Sequence, residues 1–164
     1  MFLITILNHM KRPLIPLIII FTFIIINTNA QTQETMNLDW ATKIADAAQE
    51  KAVNENWNVV IAILDQGGNL ILLKRMDGTQ IGSIEIAQLK AKTAFEFKRS
   101  TKVFEDMIKN GAVHLTTMPI TAVEGGLPIF KNGDLIGAIG ISGVTSAQDG
   151  IIAEAALKAV GLME

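Results

Sequence analysis

The sequence predicts an α+β domain, an antiparallel sheet flanked by helices in the order α-β-β-α-α-β-β-α. Three observations carry this. Two apolar stretches are each split by a short turn cluster, which is the mark of a hairpin. Segments with helical spacing lie before, between and after them. No strand alternates singly with helices, as a parallel sheet would need.

Asn37 can cap a helix that starts at Leu38. Ala41, Ile44, Ala45, Ala48 and Ala52 follow the helical repeat, with Lys43, Asp46, Gln49 and Glu50 outward. Val59–Leu64 is a continuous apolar run and reads as a buried strand. Asp65-Gln66-Gly67-Gly68-Asn69 is a turn, and Leu70–Met76 returns as the second strand, ended by Asp77-Gly78. Ser83 can cap the next helix, whose stripe is Ile84, Ala87, Ala91, Ala94 and Phe95. Lys98 and Arg99 close it, where positive charge suits the helix dipole. A short helix over Thr101–Lys109 is expected to turn Val103, Phe104, Met107 and Ile108 inward and to stop at Asn110-Gly111. Met76 and Met107 are expected in the core.

Ala112–Glu124 reads as a loop with one short extended piece. Leu127–Phe130 and Leu135–Ile141 are strands joined by Asn132-Gly133, the strongest two-residue hairpin signal in the chain. Thr145 with Gln148 three residues on matches a capping box. Ile151, Ile152, Ala155, Ala156, Ala159 and Val160 are the apolar side of the last helix.

The first thirty of the 164 residues read as an export signal. Met10-Lys11-Arg12 is a basic start, Leu14–Ile26 is aliphatic except for Pro16 and Thr22, and Thr28-Asn29-Ala30 is a small-residue exit. A spanning helix needs about 20 apolar residues, more than this run supplies. The expected layout is a removed signal over 1–30, a flexible N-terminus over 31–37 and one domain over 38–164, periplasmic or secreted, with no membrane attachment after cleavage. Met10 is a candidate start in place of Met1.

Loss of Lys11 and Arg12 from 14 basic residues, against 16 acidic ones, brings the net charge near −4. No basic patch supports nucleic-acid binding. The chain has no Cys and no Tyr. That excludes disulfides, thiol catalysis and Cys-based metal sites. With His9 in the signal, His114 is the sole imidazole of the mature chain, so a multi-His metal site within one subunit is excluded. Haem iron is usually held by His, Met, Cys or Tyr, which leaves His114 and the methionines. A lone His is also compatible with a structural or merely exposed role.

Gly140-Ile141-Ser142-Gly143 fails as a nucleophile elbow because Val144 follows, so Ser142 reads as a turn residue. Gly137, Gly140 and Gly143 lack the dinucleotide-binding spacing. They read instead as places where a helix or neighbouring subunit approaches a strand. Arg75 and Asp77 at a strand end, Glu124-Gly125-Gly126, and Gln148-Asp149 in the first turn of the last helix each have a plain structural role. If the sheet edges and helix start converge, they line a pocket.

The motifs Asp65-Gln66-Gly67-Gly68-Asn69-Leu70, Arg75-Met76-Asp77-Gly78, Lys90-Ala91-Lys92-Thr93-Ala94, Glu124-Gly125-Gly126-Leu127-Pro128-Ile129 and Gly137-Ala138-Ile139-Gly140-Ile141-Ser142-Gly143 occur in this order. Thr145-Ser146-Ala147-Gln148-Asp149 completes the set. Together they resemble the GlcG/HbpS-type haem-binding family, which also includes the C-terminal domain of a propanediol-utilisation cobalamin adenosyltransferase. The resemblance covers about Leu38–Gly161. It implies a profilin-like sandwich, a homo-oligomer and haem as cofactor, with a role in haem sensing, storage or degradation. It also implies Thr101 as a haem contact, because Arg99-Ser100-Thr101 matches the family's Arg-Pro-Thr with Ser in place of Pro. By its own chemistry Thr101 is a weak iron ligand and a good residue for a helix start. The early His of another branch has no counterpart in the first helix. The resulting expectation is an exported haem-binding protein whose candidate axial ligands are Thr101 and His114. The alternative is a small-ligand protein or enzyme, for a small organic acid or corrinoid-related molecule, built on Arg75, Asp77, Glu124, Gly125, Gly126, Gln148 and Asp149. No catalytic residue is identified.

Overall fold

The computed structural model describes residues 35–163. The predicted export signal lies outside them. The elements run α1 (Leu38–Asn54), β1 (Val60–Leu64), β2 (Leu70–Arg75), α2 (Ser83–Phe97), α3 (Thr101–Lys109), a 3-10 turn (Val113–Thr117), β3 (Gly126–Lys131), β4 (Asp134–Ser142) and α4 (Ser146–Ala159). This is the predicted α+β order. The four strands form one antiparallel sheet in the order β2-β1-β4-β3, so the two hairpins lie side by side and β1 joins β4 at the centre.

The turns follow from local chemistry. Asp65 Oδ1 accepts from the Gly67 and Asn69 N–H groups at 2.8 and 2.9 Å, folding the first hairpin. Those bonds, the Asn69 one foremost, hold the Asp65 carboxyl below its ordinary range. Asn132 and Gly133 both take positive φ, as a tight two-residue hairpin requires. Asn37 caps α1 through Trp40 N–H, and the Thr145–Gln148 capping box forms at α4.

The sheet has two unlike faces. Ile61, Ile63, Ile139, Ile141, Leu127 and Ile129 point toward α1 and α4 and make the main core with Ile44, Ala45, Ala48, Ile152 and Ala156. The other face carries Val60, Ala62, Leu64 and Ala138, and α2 packs on it through Ala87, Ala91 and Ala94. Ala62, Gly140 and Gly126 stand in one cross-strand row on this face. A Cβ on Gly140 would lie 2.0 Å from the Ala87 carbonyl oxygen, and one on Gly126 would lie 2.4 Å from that of Lys90. Gly140 is therefore the close helix approach that its spacing suggested.

Four expectations are corrected. Ser83 is the first residue of α2 rather than its cap: Gly82 takes the cap position with no side-chain bond, and the Ser83 hydroxyl accepts from Gln80. Val103 and Met107 are 39% and 40% exposed, because the short α3 is seated by only Thr101 and Phe104, the latter edge-on to Phe97. Met76 is half-buried against the core, whereas Met107 is not in it. The loop after α3 carries a 3-10 turn rather than an extended piece, since the Thr116 and Thr117 hydroxyls donate back to the Val113 and His114 carbonyls. No described helix is long and apolar enough to cross a membrane.

Candidate functional site

The predicted pocket residues separate into two groups. Arg75 and Asp77 end β2, one edge of the sheet. Glu124, Gly125 and Gly126 open β3, the other edge. Two strands lie between, which at roughly 4.8 Å per strand is about 14 Å. The two groups therefore stand at opposite edges of the described sheet.

The Arg75 group lines an open cleft of about 340 Å³ with Gln49, Asn58, Lys74, Met76 and Asp77. Lys74 is tied to Asp46 on α1. Arg75 has no ion pair among the described residues.

The second group is a closed polar network where β3, β4, α2, α3 and α4 meet. Lys90 lies on the buried side of α2, in phase with Ala87, Ala91 and Ala94. Its ammonium donates to Asp149 Oδ2 at 2.7 Å and to the Ile141 carbonyl at 3.0 Å. Both side chains of the pair are 2% exposed. Asp149 Oδ1 also accepts from the Val144 N–H at 3.3 Å. Burial pushes the Asp149 carboxyl up, and the Lys90 charge and the backbone donors offset this only in part. Gly125 covers the pair: at φ +125° it takes a glycine conformation, and a Cβ there would lie 2.9 Å from Lys90 Nζ. Asp149 was expected as a helix-dipole partner, and the structure makes it one half of a buried ion pair.

Thr101 is fully buried. Its hydroxyl accepts from the Gly126 N–H at 2.9 Å, so it fastens α3 to β3. Ser100, not Thr101, caps α3, accepting from the Lys102 N–H. Glu124 accepts from Lys102 at 3.2 Å, the loop salt bridge expected of it. That carboxylate, with Asp106, holds the Lys102 ammonium above its ordinary range. Glu105 accepts from the Glu124 N–H at 2.6 Å and from the Ser146 hydroxyl at 3.2 Å, and it pairs with Lys109. Burial raises the Glu105 carboxyl, but Lys109 and these donors outweigh it, so it ionises below its ordinary range. Gln148 is spent on the cap, accepting from the Thr145 N–H at 3.1 Å. Among the described residues, no buried side-chain nitrogen or oxygen lacks a partner. The network is saturated and works as a clasp between layers.

Sequence reasoning quoted Lys90 in a motif without assigning it a role, and it missed Glu105. The signal for Lys90 was present: a lysine in phase with a buried alanine stripe needs a buried partner.

A third feature is a groove of about 450 Å³ between α2 and the loop after the 3-10 turn, lined by Leu89, Lys92, Thr93, Glu96, Pro119, Ile120 and Thr121. The Thr121 N–H donates to the Thr93 hydroxyl at 2.9 Å, pinning the loop to the helix. Its volume suits a small-molecule site. His114 is exposed on the 3-10 turn of the same loop. The groove offers apolar walls for a porphyrin and an ammonium for a propionate. No residue of its lining is a customary iron ligand; Met118 directly precedes the lining residue Pro119, and His114 stands on the adjoining 3-10 turn. Among the described residues, no three His, Asp or Glu side chains group as a metal site.

A family model described as haem degrading protein HbpS-like matches residues 36–158. Protein GlcG of Escherichia coli strain K12 is 42% identical over 113 residues, 68% of this chain and 84% of that protein. The crystal structure of Klebsiella pneumoniae protein ORFY superposes with a TM-score of 0.73 at 33% identity, covering 83% of this chain and 97% of that one. The crystal structure of a PduOC:heme complex superposes with a TM-score of 0.71 at 28% identity, covering 80% of this chain and all of PduOC.

Proposed function

The chain belongs to the HbpS-like family of haem degrading proteins, and from that premise we propose that it binds haem, as an exported homo-oligomer in the periplasm or outside the cell. The observation that carries the reading is the likeness to haem-bound PduOC over that protein's whole length. The groove beside α2 is the surface that suits the ligand. Leu89, Pro119 and Ile120 offer an apolar wall, and Lys92 offers a cation for a propionate. His114 is the residue that would hold the iron, because its imidazole is exposed, whereas the Thr101 hydroxyl is buried and already bonded. Bound haem supplies a redox-active iron. The chain's own part is to hold the macrocycle, pair its propionates and limit water at one face. Haem sensing, storage and degradation all begin from such binding.

A haemin titration of the purified protein tests this. A saturable Soret shift is expected, with His114→Ala moving the band and weakening binding at least tenfold while Thr101→Ala leaves the band in place. A flat titration overturns the reading, and an unmoved band in His114→Ala overturns the ligand.

One observation favours a second reading. Arg75 has no ion pair among the described residues and lines the 340 Å³ cleft, as a site for a small organic acid would require. In that case haemin gives no shift, and a small carboxylate raises the melting temperature of the wild type but not of Arg75→Ala.

A further inference from the structure

The two walls of the groove beside α2 are built differently. One is the helix itself, fixed by its own hydrogen bonds and by the sheet beneath it. The other is Pro119, Ile120 and Thr121, part of a stretch between the 3-10 turn and β3 that belongs to no helix or strand. From Pro119 to Glu124, two main-chain hydrogen bonds reach other elements among the described residues, and both end on side chains. The Thr121 N–H donates to the buried Thr93 hydroxyl of α2 at 2.9 Å, and the Glu124 N–H donates to the Glu105 carboxylate of α3 at 2.6 Å. The Ile120 N–H bonds only within the stretch, to the Met118 carbonyl. Pro119 stiffens its start: the ring fixes its own φ and holds Met118 extended, at φ −83° and ψ 151°. Its far end is Gly125, at φ +125°.

We infer that Met118–Gly125 is a strap that closes the groove, and that Thr93 and Glu105 are the positioning residues that set its grip on a ligand. Thr93 pins the middle of the strap to the opposite wall, so it sets the width of the groove. Glu105 holds the strap beside its glycine end. It is itself fixed by Lys109 and by the Ser146 hydroxyl of α4. Glu105 does not line the groove, so its effect reaches a ligand only through the strap. A flat apolar ligand needs both walls, and one of them must yield to admit it. Segments that yield come from the weakly held part of a fold. A wall hung on two side-chain bonds is such a segment, whereas α2 on its sheet is not. The inference rests on the haem reading of this groove and adds to it the residues that govern retention.

The test has two arms. Amide hydrogen exchange of the haem-free protein, followed residue by residue by NMR, reads the strap alone. Thr93→Val keeps the side-chain shape and removes the acceptor, and it should speed exchange at Thr121 about tenfold or more. Glu105→Leu should do the same at Glu124. Ile63 and Ile139, paired at the centre of the sheet, should exchange as in the wild type, which separates a loosened strap from a weakened fold. Thr93→Ser keeps the hydroxyl and should behave as the wild type. The second arm is the rate at which bound haemin is lost to haem-free myoglobin. Thr93→Val and Glu105→Leu should each raise it about fivefold or more, and Thr93→Ser should leave it unchanged. Unchanged exchange at Thr121 and Glu124 overturns the strap. Faster exchange there with an unchanged loss of haemin overturns its grip on the ligand. A wild type that takes up no haemin overturns the haem reading and the grip with it, and the exchange arm then decides the strap by itself.

Discussion

The two faces of the sheet are held by different physics. On the α1/α4 side, isoleucines and leucines interlock with two helices in a core that is apolar throughout. On the α2 side, Ala62, Gly140 and Gly126 let one helix come almost into backbone contact, and the seat is fixed by a buried ion pair at its rim. The first face depends on volume and tolerates modest changes of shape. The second depends on the absence of side chains and on a charge that must be paired.

Adjacent residues of β4 separate these modes most sharply. Gly140→Val should cost more than about 4 kcal/mol or abolish folding, because its Cβ would sit 2.0 Å from the Ala87 oxygen and neither backbone can yield. Ile139→Val, on the opposite face, should cost only about 0.5–1.5 kcal/mol. Urea unfolding of the two variants measures both, and equal costs would remove the distinction between the faces.

Lys90→Met should cost about 3–5 kcal/mol, since it strands Asp149 without its counter-charge. Adding Asp149→Leu to that variant should recover most of the loss. If the double variant is no more stable than the single, Lys90 acts through its other bond, to the Ile141 carbonyl.

The smallest effect is set by Glu105, which ties the β3 entry to α3 and α4. Its folded pKa lies below the ordinary value of 4.5. Its contribution is therefore fully present above about pH 4.5 and is lost as pH falls through the lower folded value. Glu105→Gln should cost of order 1 kcal/mol at neutral pH and flatten this part of the acid limb. An unchanged acid limb in the variant would show that Glu105 contributes no such dependence. Asp149 works in the opposite sense, because a raised carboxyl pKa favours the folded state at lower pH.

The fold was legible because the signals that specify it are local. Asn132-Gly133 and Asp65–Asn69 announce their hairpins, Thr145 with Gln148 announces a cap, and the alanine stripes mark the buried sides of α1 and α2. The α3 helix misled because it is strongly amphipathic without being buried. Its apolar residues predict an inward face, but only Thr101 and Phe104 find one. The candidate site was legible in part. Glu124, Gly125, Gly126 and Asp149 do meet, whereas Arg75 and Asp77 stand across the sheet, because strand order is a long-range property that residue spacing does not encode. Thr101 was marked by resemblance as a haem contact, and its burial against the Gly126 N–H depends on a contact between α3 and β3 that no local motif reveals.

The strand order has a consequence for how the molecule is built. Each hairpin joins neighbours in the chain and can close within about 1–10 μs. The seam between them pairs Val60 with Ser142, and α2, α3 and the 3-10 turn all lie between. Loop-closure entropy makes that seam the slow step. Until it closes, both β1 and β4 offer open edges to other chains. The time between hairpin formation and seam closure is thus the interval in which this protein is most prone to aggregate.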